Sequence, residues 1–166
     1  MQAFFVFDVA AEPTLRARLP GWTHLPLVGC MDCCLWLMRR DFRVNQDART
    51  VEVLGVQADA NALASYRKAL KPEGAPIPRQ NAVLRAIPSD APPENDRTQV
   101  GGEPDWVQDF ERAFCPLCHD EMIFVAALGS YSKDFVPELT INNGSGYQYH
   151  FACAPCGTLA VFGQNT

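Results

Sequence analysis

Two cysteine pairs in the last third of the chain constrain its fold more than any other feature. "CPLC" at residues 115–118 is answered by "CAPC" at residues 153–156. Two residues between cysteines let a tight turn aim both sulfurs at one metal ion, and zinc prefers four such ligands in a tetrahedron. The sequence therefore predicts two hairpin turns that form one closed, structural Zn²⁺ site with the ligands Cys115, Cys118, Cys153 and Cys156.

Two other interpretations of these pairs stay open at this point. A single CxxC is also the thioredoxin-type redox motif, but that motif opens a helix after a strand in a βαβ unit. "CPLC" is instead expected to follow a helix and to precede a strand. The remaining alternative is four buried, metal-free thiols, because free cysteine packs readily as a small apolar residue.

A third pair, Cys30 and Cys33, has no second CxxC in its own half of the chain. It is a candidate for a second metal site, with His24 as a further ligand, or for a vestigial knuckle. Cys34 is adjacent and cannot join the same tetrahedron without distortion. The interpretation favoured here is that these three cysteines are small core residues, since unpaired cysteine is often buried.

The pattern of apolar residues predicts an α+β fold made mainly of antiparallel strands with a few short helices. The proline-rich, polar residues 89–103 form the best linker in the sequence. We expect an N-terminal lobe over residues 1–88 and a C-terminal lobe over residues 104–166 that carries zinc-knuckle hairpins. The stretch "PDWVQDFERAF", residues 104–114, predicts a helix with Trp106 on its apolar face.

Negative charge is concentrated in residues 89–121, which contain nine acids and two bases, although the whole chain has a net charge of only −5. An acidic surface repels phosphate backbones and attracts basic partners. The charge therefore disfavours nucleic acid as a ligand. Two interpretations of the acidic residues stay open: a solvated face, or a docking surface for a basic protein. The candidate partner-binding residues are Asp105, Asp109 and Glu111.

Other classes of protein are disfavoured by what the sequence lacks. No apolar run reaches the roughly 20 residues that span a bilayer, and the start has no positively charged signal region. We therefore expect no membrane association and a cytoplasmic location, where thiols stay reduced or bind metal. No phosphate loop, GxSxG or HExxH motif is present, and we predict that the chain is not an enzyme.

Three stretches of the C-terminal half together resemble the bacterial YwqG-like family, and more distantly programmed cell death protein 2. They are "VGGEPDWVQ", "CPLCHDEMIFVAAL" and "GYQYHFACAPCGTLAVFGQ". The resemblance implies two similar sheet lobes and a binding protein. It also implies structural roles for the residues that match the opening motif, which are Gly101, Gly102, Pro104 and Trp106.

The function that this resemblance implies is that of an immunity protein. Such a protein neutralises a cognate secreted or contact-dependent toxin by binding it directly, and an acidic face would suit a basic toxin. The alternatives are a zinc-ribbon-type binding protein and a chaperone for a basic, nucleic-acid-associated protein.

Overall fold

A computed structural model describes residues 2–29, 39–57, 98–129 and 146–164 of the chain. These residues form an α+β arrangement of mostly antiparallel sheet with little helix, as the sequence predicts. In chain order the elements are β1 (Gln2–Asp8), α1 (Pro13–Arg18), β2 (His24–Gly29), β3 (Arg39–Asn45), β4 (Thr50–Gln57), β5 (Gln99–Val100), β6 (Ile123–Gly129), β7 (Tyr147–Cys153) and β8 (Thr158–Gln164). No helix among the described residues is long and apolar enough to cross a membrane.

Strands from both halves of the chain share one six-stranded sheet, in the order β4-β3-β8-β7-β6-β5. The junction is the antiparallel pairing of β3 with β8, in which Phe42 faces Leu159 and Arg40 faces Val161. Strands β1 and β2 form a separate antiparallel pair. The predicted linker lies mostly outside the described residues, so the division into two lobes stays a prediction.

The C-terminal part of the large sheet is buried on both faces. All seven residues of β7 are buried. Leu25, Leu27 and the α1 residue Leu15 pack in one core cluster with Val125 and Leu159 from the sheet. The aromatic side chains at alternate positions of β7 belong to the second cluster, on the opposite face. Because both faces of β7 are covered, His150 and Gln148 on its less apolar face are buried as well.

The glycine motif before β6 joins helix α1 to the sheet. Gly101 has φ +70°, and a Cβ there would meet the Thr14 side chain at 3.0 Å. Its N–H donates to the Val125 carbonyl over 2.8 Å. Arg18, in the last turn of α1, donates to the Gly102 carbonyl over 3.2 Å. The left-handed backbone and the close approach together require glycine at position 101.

The helix predicted over residues 104–114 is wrong, because this segment is irregular in the structure. Buried side chains of the sheet form hydrogen bonds with the backbone of residues 104–114. The Tyr149 hydroxyl donates to the Asp105 carbonyl over 2.6 Å, and Gln164 Nε2 donates to the Asp109 carbonyl over 2.7 Å. Backbone groups that are satisfied in this way need no helical ladder. The expectation for Trp106 is therefore corrected: it anchors an irregular segment by stacking on Tyr149 at 4.7 Å.

Candidate metal centre

The first cysteine pair lies in the turn of a short hairpin that precedes β6. Phe114 and Glu121 form an isolated antiparallel bridge. The Cys115 N–H donates to the Asp120 carbonyl over 2.8 Å, and the His119 N–H donates to the Cys115 carbonyl over 3.0 Å. The hairpin therefore closes tightly around the pair, and both sulfurs belong to one turn.

The second pair lies in the turn between β7 and β8. Cys153 ends β7 and faces Thr158, the first residue of β8. The residue after the second cysteine has a left-handed backbone in both turns, with φ 66° at His119 and φ 63° at Gly157. The two turns thus share a conformation, although a non-glycine residue occupies the left-handed position in the first, which costs about 1–2 kcal/mol.

The two turns bring four sulfurs together, and this prediction from the spacing is confirmed. The Sγ atoms of Cys115, Cys118, Cys153 and Cys156 all lie within 4.8 Å of one another. Cys118 Sγ and Cys153 Sγ are 3.7 Å apart, and all four thiols are free. Zinc–sulfur bonds of about 2.3 Å in a regular tetrahedron place the sulfurs about 3.8 Å apart. The geometry is therefore compatible with a four-cysteine metal site.

The electrostatics of the cluster favour a cation at its centre. Burial raises the pKa of Cys115, but hydrogen bonds from the Thr158 hydroxyl and from the N–H groups of Cys118 and Leu117 outweigh it and lower this pKa to about 6. Interaction with the Cys118 side chain raises the pKa of Cys156 to about 12. Adjacent thiols cannot all ionise without positive charge among them, and a divalent ion would supply that charge.

The N-terminal part of the chain supports both turns. Trp22 Nε1 donates to the Ala154 carbonyl over 3.2 Å, and the Val44 N–H donates to the Gly157 carbonyl over 2.8 Å. Arg39, which pairs with Asp41 at 2.8 Å, also donates to the Phe114 carbonyl. These contacts hold the two hairpins in position relative to each other, through residues far from them in sequence.

Sequence reasoning missed these supporting residues. Trp22 and Ala154 are 132 positions apart, and nothing near Trp22 indicates its partner. Thr158 gave a local signal, because it lies two residues after Cys156 and begins a strand. Its hydroxyl lies 3.3 Å from Cys115 Sγ inside the protein. A hydroxyl next to a turn that carries metal ligands can donate to a thiolate. The position of Thr158 in the sequence therefore predicts a hydrogen bond to one of the cysteines.

The N-terminal cysteine prediction falls on residues that the structure does not describe. Cys30, Cys33 and Cys34 all lie within residues 30–38. His24, the further ligand considered for that pair, is described, and its Nδ1 lies 2.8 Å from the Thr23 hydroxyl. The second metal site or vestigial knuckle therefore stays a prediction.

The three candidate partner-binding residues lie on one irregular segment. Asp105, Asp109 and Glu111 are all exposed. Gln164 Nε2 donates to Glu111 Oε1 over 3.1 Å, and the Gln108 N–H donates to Gln164 Oε1 over 3.0 Å. The acids are thus presented from a segment that buried side chains fix to the sheet. Their role in binding stays a prediction.

Comparison with known proteins adds one relative. An uncharacterised protein of Salmonella typhimurium, YpfL, is 41% identical to this chain over 69 residues. The alignment covers 42% of this chain and 15% of that protein, so the similarity concerns one segment of a longer sequence. No family model matches the chain, and no solved structure matches it.

Proposed function

We propose that the chain is a non-catalytic binding protein whose C-terminal half is organised by a structural Zn²⁺ ion. The observation that carries this proposal is the convergence of four cysteine sulfurs within 4.8 Å. Four thiolates fill a zinc tetrahedron and leave no position for water or substrate, which is typical of structural sites. Both pairs lie in hairpin turns and not at a helix start, which favours zinc over a thioredoxin-type redox role.

Metal analysis of the purified chain tests the zinc site. We expect one Zn²⁺ per chain by elemental analysis, and loss of that ion in Cys153→Ser. The matched control is Cys34→Ser, which removes a cysteine that belongs to no CxxC pair and should leave the zinc content unchanged. Protein that contains no metal after purification in zinc-supplemented buffer would contradict the proposal.

We propose further that the chain acts as an immunity protein, and that it binds a toxin with a basic surface. Its resemblance to the YwqG-like family supports this role. The excess of acids over bases in residues 89–121 supports a basic partner, because complementary charge speeds association and selects partners. Asp105 and Asp109 are exposed on a segment whose backbone is fixed by Tyr149 and Gln164. Such a surface needs little ordering on binding.

Coexpression with the product of the neighbouring gene tests the immunity role. We expect the chain to restore growth of cells that express this product, and Asp105→Lys with Asp109→Lys to weaken the protection. The control is Asp47→Lys with Glu52→Lys, which reverses two exposed acids elsewhere in the described part of the chain. If the chain raises the soluble amount of its partner without any effect on growth, the alternative of a chaperone for a basic protein replaces it.

A further inference from the structure

The first cysteine hairpin and the irregular segment before it together expose three large apolar side chains. Phe110 is 63% exposed, and Phe114 and Leu117 are each 46% exposed. Around them the same segment buries its other apolar residues, including Ala113 and Met122. Exposed aromatic side chains grouped on one short segment are typical of binding surfaces, whereas single exposed apolar residues are common and need no explanation.

Contacts of Arg112 link two of these side chains, Phe110 and Phe114, to one side of the hairpin. Ala113 and Cys115 point into the core, so Phe114 between them points outward. Glu121 is opposite Phe114 in the hairpin and shares its side. Arg112 connects this position to Phe110, because its guanidinium lies 5.7 Å from the Phe110 ring and 3.7 Å from Glu121 Oε2. We call these three exposed side chains, Phe110, Phe114 and Leu117, the outer face.

Contacts with Trp106 and Cys115 hold the outer face in place. Trp106, which stacks on the sheet, contacts the Phe110 ring edge-on at 5.7 Å. Cys115, a member of the sulfur cluster, lies between Phe114 and Leu117 in sequence, and the Leu117 N–H donates to its sulfur over 3.4 Å. A surface that is held in this way loses little conformational entropy when a partner binds, so its apolar area can contribute to affinity.

The charges beside the outer face define its partner. Asp109, Glu111, Asp120 and Glu121 are exposed on the same segment, residues 109–121, where the cationic side chain is Arg112. Arg112 is already engaged by Glu121. Apolar side chains surrounded by net negative charge complement a segment that carries basic and large apolar residues together.

We propose that the outer face docks a basic segment of a partner protein whose large apolar side chains contact Phe110, Phe114 and Leu117. This inference rests on the proposed function and deepens it, because it assigns the apolar part of the toxin interface. The acids alone would give a fast but weakly selective association. The buried apolar contacts would supply the affinity, because removing large apolar side chains from water favours association.

Three short synthetic peptides of equal length test the outer face on the full, zinc-loaded chain. One alternates lysine with leucine, one lysine with serine, and one glutamate with leucine. We expect the lysine–leucine peptide to shift the amide NMR signals of residues 109–121, with an affinity at least about tenfold above that of the other two. We expect Phe110→Ser with Leu117→Ser to weaken this peptide by at least about tenfold. The control Val53→Ser, at a 48% exposed valine of β4, should bind like the unchanged chain.

The possible outcomes distinguish the docking role of the outer face from the proposed immunity role. Equal binding of the lysine–leucine and lysine–serine peptides, or signal shifts that map outside residues 109–121, would overturn the docking role of the outer face. Zinc content measured on the same samples shows whether the Phe110 and Leu117 variants remain folded. If those variants keep zinc and lose peptide binding but still protect cells, the immunity role stands and the outer face is not part of the toxin interface. If the unchanged chain binds the lysine–leucine peptide but does not protect cells, the outer face binds basic segments and the immunity role fails separately.

Discussion

At the scale of single residues, His150 is a titratable group whose pKa is changed by complete burial. Its side chain is fully buried, with Nε2 3.1 Å from the Val28 carbonyl and Nδ1 3.3 Å from the Gln148 carbonyl. A neutral imidazole has one N–H, so it can donate to only one of these two carbonyl oxygens. Burial lowers the pKa of His150 to about 4 and outweighs the backbone carbonyls, which favour the charged form. The histidine therefore stays neutral at physiological pH and joins β7 to β2.

The pH dependence of stability follows from this lowered pKa. The unfolded histidine binds a proton below about pH 6.5, while the folded one remains neutral until about pH 4. The free energy of unfolding should therefore fall as the pH decreases from about 6.5 to about 4, by up to about 3 kcal/mol from this group. Urea unfolding of the chain and of His150→Gln across that range measures it. Parallel pH profiles for the two proteins would contradict the prediction.

At the scale of elements, the segment before the first cysteine pair shows why sequence periodicity failed. Trp106, Phe110 and Ala113 have helical spacing, so residues 104–114 predict a helix. In the structure Trp106 instead lies nearly parallel to the Phe162 ring of β8, at 6.3 Å. Tertiary contacts with the sheet override the local pattern. The strands and the two cysteine turns were predictable because their signals are local, in apolar runs and CxxC spacing.

Gln164 should decide whether this segment stays in place. Its side chain is 1% exposed and makes hydrogen bonds with Gln108, Asp109 and Glu111. Gln164→Leu leaves the Gln108 N–H and the Asp109 carbonyl without this partner. Both residues are exposed, so the loss costs about 0.5–1.5 kcal/mol for each hydrogen bond. We expect faster amide hydrogen exchange at Gln108 in this variant.

Gln46→Leu is a matched control for that experiment. Gln46 Oε1 accepts from the N–H groups of Thr23 and His24, and its Nε2 donates to the His24 carbonyl. This variant removes a similar set of bonds at the start of β2, so it should lower stability and leave local exchange at Gln108 unchanged. If the two variants change Gln108 exchange equally, Gln164 has no special role in holding the segment.

At the scale of the whole molecule, the pairing of β3 with β8 makes the halves of the chain interdependent. The core cluster beneath this junction combines Phe42 and Val44 of β3 with Leu159 and Val161 of β8. A pairing between strands more than a hundred residues apart leaves no local mark in the sequence, because any two apolar strands could pair. The sequence could therefore predict a sheet-rich fold with one sulfur cluster, and it could not predict this strand order.

Residues 98–166 alone should not fold, even with zinc. In this fragment β8 would lose β3, and the Ala154 carbonyl would lose the Trp22 N–H. An exposed strand edge and an uncovered apolar face both favour aggregation. We expect poorly dispersed NMR spectra for the fragment and dispersed spectra for the full chain under the same conditions. A well-dispersed, zinc-loaded fragment would instead support the prediction of two separate lobes.

The strand order also has a consequence for biosynthesis. The ribosome makes β3 and β4 early, yet the strand that lies beside β3 in the sheet, β8, follows more than a hundred residues later. Cys156, the last of the clustered thiols, is translated just before it. At about 5–20 residues per second, β3 and β4, two of the six strands, wait on the order of ten seconds for β8. Metal capture and sheet closure should therefore coincide, once the second cysteine pair and β8 have both been made.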